Sequence, residues 1–398
     1  MSISTRGRAR LIIRPRPSRL LAVRLTALLP PLLADPTIDD LVEAAGSRSR
    51  TDRTVVVAPG ARPAVLAAMS LGASGIARAT GAAVPHSADS AENAPTSSDE
   101  GTPLLVVTAT GREAEQTAAA LSCYLPATHV AVFPAWETLP HERLSPRADT
   151  VATRLAVLRR LAHPEDGWDT GDRPTGAAPS GAPDPQRGPI RVLVVPVRAL
   201  LAPVVDGLGE LEPVHLAKGL EVGLETTAER LAAAAYTRVD MVENRGEFAV
   251  RGGILDVFPP TLARPVRVDF FGDEIESVST FAVADQRTIE EIDAVTATAC
   301  REIVLTDAVR ERARALVDVI PGAADMLGKI AEGINCEGME SLAPVLVERM
   351  VPLLDLVGDR LVVGLEPERL RKRAEDLVAT TAEFLAAAWT SAASGGTA

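Results

Sequence analysis

Holding a nucleotide phosphate takes a glycine-rich turn between a strand and a helix, with a lysine for the β/γ-phosphates and a hydroxyl for Mg²⁺. Two turns in this chain are placed for such work. Val57-Ala-Pro-Gly-Ala-Arg-Pro-Ala-Val-Leu follows the β-branched run 54–58 (TVVVA), and Thr108-Ala-Thr-Gly-Arg-Glu follows 104–108 (LLVVT). Neither contains Gly-Lys-Ser/Thr. A decoy at Gly322-Ala-Ala-Asp-Met-Leu-Gly-Lys-Ile has one residue too many between its glycines, Ile330 in place of the hydroxyl, and no preceding strand, so it reads as ordinary helix. Asp273-Glu274 after Phe270-Phe271 has the look of a metal-binding acidic pair, but Gly272 breaks the strand first and a solvated turn is expected. No G-x-S-x-G elbow occurs, and no cysteine stands near a histidine in a recognisable pattern. The carboxylate pairs Glu274/Glu276, Glu290/Glu291 and Glu375/Asp376 lie in charge-rich, surface-like stretches that give no reason to assign an acid and a base. The three cysteines, Cys123, Cys300 and Cys336, are far apart and form no zinc spacing. Their odd number points to a reducing, cytoplasmic compartment without structural metal. His141 is the one histidine of five inside a dense polar motif, and a structural role is expected for it. No catalytic residue, cofactor-binding residue or metal ligand is expected.

Composition narrows the classes further. At 398 residues the chain has room for two or three domains, each with its own core. A net charge of −12 and only 3% aromatic residues argue against a surface built to bind DNA, which would carry a basic field and stacking side chains. Weak, salt-sensitive or undetectable binding to duplex DNA is the expectation. No stretch approaches the roughly 20 apolar residues of a membrane span. Seven arginines precede the first acidic residue, Asp35, and an apolar run with Pro30 and Pro31 inside it follows. Residues 1–34 therefore read as a basic, disordered extension, with a targeting peptide as the alternative.

The positioning elements come next. Residues 35–211 alternate short β-branched runs (54–58, 104–108, 130–133, 191–195) with helical patterns near 63–71 and 112–121, which predicts βαβ units and a largely parallel sheet. Two polar, Pro/Gly/Ser/Asp-rich segments, 86–102 and 164–188, read as flexible, protease-sensitive insertions. Between 212 and 300 a helix near 226–235 is followed by strands with little helical pattern between them, which predicts a separate α+β domain. Helical periodicity returns at 307–319. A strand at 360–364 then feeds a helix opened by Pro367, with Leu370, Ala374, Leu377, Thr381, Phe384 and Leu385 along one face. Residues 301–389 are expected to complete the first domain, and 390–398 to form a disordered tail.

Inside the second domain the pleat makes one sharper statement. Along Val266-Arg-Val-Asp-Phe-Phe, Val266, Val268 and Phe270 point to one face, and Arg267, Asp269 and Phe271 to the other. Phe248 and Val250 likewise oppose Glu247, Ala249 and Arg251. The first set is a core face. The second places a phenylalanine beside arginine, a pairing enriched at protein interfaces. The plainer alternative tucks Phe271 under a loop and leaves both arginines in surface salt bridges.

Two stretches are long enough to be distinctive. They are Phe133-Pro-Ala-Trp-Glu-Thr-Leu-Pro-His-Glu-Arg-Leu-Ser-Pro, followed by Arg154-Leu on a helix, and Arg245-Gly-Glu-Phe-Ala-Val-Arg-Gly-Gly-Ile-Leu-Asp-Val-Phe-Pro, continuing through Pro265-Val-Arg-Val-Asp-Phe-Phe-Gly-Asp-Glu-Ile-Glu and Asp285-Gln-Arg-Thr. Over about residues 35–389 the chain resembles the N-terminal, UvrB-homology module of the bacterial transcription-repair coupling factor (Mfd) family, and the second stretch is also similar to UvrB domain 2. The resemblance implies an α/β fold: a helicase-like, degenerate RecA-type parallel-sheet domain interrupted by an inserted α+β UvrA-binding domain. It implies UvrA as partner, with Arg251, Arg267 and Phe271 at positions that contact UvrA in the family. Alanine at any of them is expected to weaken docking and leave the fold intact. RNA polymerase and DNA are expected to be engaged only through C-terminal domains for which 398 residues have no room. The alternative, a UvrB-like ATP- and DNA-binding helicase subunit, meets a degenerate phosphate turn and, in place of UvrB's aromatic-rich hairpin, a stretch with Trp136 and no tyrosine.

Overall fold

The computed structural model describes residues 25–47, 52–81, 101–139, 144–164 and 188–393. His141, nearly all of segments 86–102 and 164–188, and residues 1–24 lie outside the described residues.

The chain enters through a 3-10 turn at Leu25–Leu28, then α1 (Leu29–Leu32), α2 (Pro36–Gly46) and α3 (Arg62–Thr80). This corrects the extension expected over 1–34, because its last ten residues belong to the fold. Leu29 is fully buried, the Leu25 amide donates to Cys123 O at 2.7 Å, and the Thr26 hydroxyl donates to Tyr124 O at 2.8 Å. Pro30 and Pro31 do not interrupt the run, since the first turn of a helix has no amide partner to lose. The strand expected at 54–58 is also corrected. Residues 52–58 are irregular, with Val56 97% exposed, and only Val57 packs on the core. The β-branched run finds no paired neighbour. α3 runs well past the expected 63–71 and kinks at Gly72, whose φ of 65° leaves the helical region.

The remaining alternation follows. β1 (Leu104–Thr108) leads to α4 (Gly111–Leu121), capped by the Thr110 hydroxyl accepting from the Glu113 amide. β2 (Val130–Val132), α5 (Ala148–Ala162), β3 (Val192–Pro196), α6 (Val197–Leu201) and β4 (Val204–Val205) complete this stretch. An insertion then carries β5 (Val214–Ala217), α7 (Leu224–Ala233), β6 (Thr237–Arg238), β7 (Glu247–Arg251), β8 (Ile254–Val257), β9 (Val266–Phe271), β10 (Glu274–Phe281), β11 (Thr288–Glu291) and β12 (Ala294–Ala297). The chain returns through α8 (Asp307–Leu316), α9 (Ala324–Ala331), α10 (Ala343–Leu346), β13 (Met350–Val351), α11 (Leu353–Leu356), β14 (Leu361–Gly364) and α12 (Pro367–Ala393). The decoy enters through a 3-10 turn at Pro321–Ala323 and continues as ordinary helix in α9, with Lys329 paired to Asp325 one turn away. α12 reaches Ala393, four residues into the expected tail.

The first sheet is parallel, in the order β14-β1-β3-β2. Its central strands are apolar on both faces, as helix-covered parallel strands must be. Leu104, Val106, Val192 and Val194 face one core with α1–α4. Leu105, Val107, Leu193 and Val195 face another with α5, α6 and α11, completed by Leu370, Ala374 and Leu377 of α12. Farther along α12, Val378, Phe384 and Leu385 are 61%, 47% and 45% exposed. The insertion has its own sheet, β11-β10-β9-β8-β7-β6, antiparallel except at β6, and a separate core around Phe248, Val266, Val268 and Ile275. A small helical cluster over 303–346 forms a fourth core.

Candidate functional site: the polar face of the inserted sheet

Cross-strand register assembles the candidate residues. Arg251, Ile254 and Asp269 lie opposite one another in one row, and Ala249, Asp256, Arg267 and Ser279 in the next. Phe271 ends β9 opposite Glu274. The hairpin turns at 252–253 and 272–273 lie at the same end of the sheet, which brings Arg251 and Phe271 to one rim. Two glycines make this possible. Gly252 sits at φ 61°, and a side chain on Gly253 would place its Cβ 2.9 Å from Phe270 O, whose own amide donates to Gly253 O. Asp273 falls in the second turn, as the break at Gly272 implies.

The structure places the three expected residues in different environments. Phe271 is 79% exposed, so it is not tucked beneath a loop. Both arginines converge on Asp256, which is 1% exposed. Arg251 Nη2 donates to its Oδ2 at 2.8 Å, and Arg267 donates from Nε to Oδ1 at 2.7 Å and from Nη2 to Oδ2 at 2.9 Å. Arg267 also donates to Gln286 O at 3.2 Å and lies 4.8 Å from the centre of the Phe281 ring. Its side chain is 18% exposed against 50% for Arg251. The hydrogen bonds to Asp256 raise the Arg267 pKa above its ordinary value, so it stays cationic throughout the useful pH range. Arg267 is therefore part of the fold as well as a candidate contact. Its removal would take the bidentate partner from a buried carboxylate, so Arg267→Ala is expected to cost stability as well as binding.

Along this face the chemistry is graded. At the far end Val242, Ala249, Phe258 and Phe281 form a closed apolar cluster. The Asp256–Arg267 pair follows, then half-exposed Arg251, then Phe271 in solvent. Sequence reasoning missed Asp256. Alternation in Leu255-Asp256-Val257 puts it on the same face as Arg267, a usable signal, but its burial comes from the cluster next to it. Asp269 is held by the Ser277 hydroxyl at 2.6 Å.

The other distinctive stretch, 133–146, does something different. Arg154, 1% exposed, donates through Nε to Glu302 Oε1 at 2.5 Å and through Nη1 to Pro134 O at 2.9 Å, and its guanidinium lies 4.2 Å from the Phe133 ring centre. Trp136 Nε1 donates to the same Glu302 oxygen at 2.9 Å. Ser145 Oγ donates to Glu340 at 2.7 Å and accepts from Arg301 and the Gly338 amide, each at 2.9 Å. Both ends of the stretch are thus fastened to the segment that leaves the insertion. Among the described residues, no group of three His, Cys, Asp or Glu side chains is arranged to hold a metal ion, and no helix is long and apolar enough to cross a membrane.

Comparison with known proteins agrees with this division. Residues 214–302, the inserted unit, match the family model of the UvrB interaction domain. The transcription-repair-coupling factor of Mycobacterium tuberculosis is 50% identical over 306 residues, 74% of this chain and 23% of the relative. Those of Myxococcus xanthus and Escherichia coli are 33% identical over 261 residues and 30% over 224, covering 62% and 55% of this chain. The chain spans about a quarter of the length of the curated relatives it matches. It is a homologue of the bacterial transcription-repair coupling factors and carries a UvrB interaction domain.

Proposed function

We propose that this chain is a non-catalytic docking module that binds UvrA through Arg251, Arg267 and Phe271. In that role it recruits the excision-repair machinery to RNA polymerase stalled at a lesion, with polymerase and DNA engaged by other parts of the longer relatives. The parallel-sheet domain is then a degenerate RecA-type scaffold, in keeping with the absence of Gly-Lys-Ser/Thr from 57–66. One observation carries the reading: an almost fully exposed phenylalanine stands on the rim of a face whose arginines are pre-set by a buried aspartate. Phe271 presents a large apolar area beside cationic donors that are already held in place, the composition of interface hot spots.

The test is titration of UvrA onto the parent chain and onto Phe271→Ala and Arg251→Ala, with thermal melts of each variant. Docking through this face requires weaker UvrA binding at unchanged melting temperature. Parent-like affinity in both variants would move the interface elsewhere.

A further inference from the structure

A crevice of about 260 Å³ opens at the carboxyl ends of β1 and β14, beside the start of α3. Pro59, Arg62, Thr108, Glu113, Glu366 and Arg369 are among its lining residues. Open parallel sheets receive anionic ligands at this edge. Here the edge already holds an anion of the chain's own. Glu366 presents one carboxylate oxygen to each of two guanidinium groups: Arg62 Nη1 donates to Oε1 at 2.9 Å, and Arg369 Nη1 donates to Oε2 at 2.7 Å. Arg369 also reaches Glu113 at 2.6 Å. Arg62 and Glu366 are 304 residues apart in sequence, so the meeting is a product of the fold.

Glu366 makes this contact from a backbone conformation that side-chain-bearing residues rarely adopt, with φ at 56°. Non-glycine residues held there concentrate at sites where geometry outweighs backbone comfort. The neighbouring arginines, Arg369 first and then Arg62, hold its carboxyl below the ordinary carboxylate range, so it is anionic at neutral pH.

We infer that this crevice is a phosphate-type anion site occupied from within, with the Glu366 carboxylate standing where a ligand's phosphate would otherwise sit between Arg62 and Arg369. Two cations and two anions balance in the parent crevice. Without Glu366, two adjacent guanidinium groups face the vacancy and Glu113 alone opposes them. An oxyanion with several acceptor oxygens matches that donor pair, because guanidinium forks bind phosphate by paired, charge-assisted hydrogen bonds. The crevice lies on the parallel-sheet domain and the inference is independent of the docking face.

The probe is inorganic pyrophosphate at millimolar concentration, titrated calorimetrically at matched ionic strength. The proteins are the full chain, Glu366→Gln and Glu366→Gly. The glutamine keeps the shape without the charge, and the glycine also relieves the left-handed backbone. Both variants should bind pyrophosphate at least about tenfold more tightly than the parent, the scale of one added charge-assisted contact. Adding Arg369→Ala should abolish the gain. Variants that bind no better than the parent would reduce the arginines to a latch between α3 and α12. A parent that binds as tightly as the variants would show the site to be open. If neither variant folds, Glu366 is a structural requirement and the inference falls.

Discussion

Asp256 and Glu302 are both buried carboxylates, 1% and 2% exposed, and both are neutralised by arginine. Glu302 is closed on every side that its contacts define: Arg154 is itself 1% exposed, Phe133 and Trp136 flank the guanidinium, and Trp136 donates to the carboxylate. Asp256 is just as buried, but its pair is not sealed. Its second arginine, Arg251, is half in solvent and leads to a bare Phe271. The same ion-pair chemistry therefore serves two ends. Sealed, it fastens the insertion to the sheet domain. With one arginine in solvent, it holds two cations near the rim of the inserted sheet. A buried pair contributes little net stability over an apolar substitute, yet losing one partner is expensive. For that reason each pair should respond to mutation in its own way.

The largest response belongs to the sealed pair. Arg154→Ala strands Glu302 without its cation and should destabilise the chain by about 3–5 kcal/mol, read by urea denaturation. A loss under about 1 kcal/mol would mean that the junction hydrates freely and is no rivet. Next comes Arg267→Ala. It should lower stability by about 1–3 kcal/mol, because Asp256 keeps only Arg251, and it should also weaken UvrA binding. Unchanged stability would place Asp256 in water and erase the distinction between the two arginines.

Phe271→Ala should leave stability within about 0.5 kcal/mol of the parent and weaken UvrA binding by about 2 kcal/mol. A stability loss as large as that of Arg267→Ala would show Phe271 packed in solution. The smallest effect is at Cys300, two residues before Glu302. Burial pushes its thiol up to about 12, so at pH 8 it is protonated and inert while exposed Cys123 reacts with maleimide. Cys300 labelling should quicken in Glu302→Gln and stay slow in Phe271→Ala. Equal rates in those two variants would dissolve the contrast between a sealed ion pair and one with an arginine in solvent.

The parallel strands were legible because LLVVT and VLVVP bury both faces, and a strand covered by helices on both sides has to be apolar throughout. TVVVA is as rich in β-branched residues and is irregular, since a strand also needs a partner edge, and beside β1 lie β3 and the late-arriving β14. Composition is local and pairing is not. The prolines of α1 obey the same non-local rule. Whether a proline breaks a run depends on where the helix starts, and Leu29 packing against the core decided that.

Within the candidate site, period-two alternation assigned Arg251, Arg267 and Phe271 to one face, because the pleat permits nothing else once the strands exist. The sequence by itself also determined the missing phosphate-loop lysine, the net charge and the glycine pair at 252–253 that lets two hairpins end together. Only the tertiary structure decided that Phe271 stands free, that Asp256 grips both arginines, that Glu302 meets Arg154 across 148 residues, and that Glu366 meets Arg62 across 304. Face and turn follow from dihedral angles a few residues long. Burial and ion pairing depend on which distant surfaces arrive, and that is settled when the whole chain minimises its exposed apolar area together.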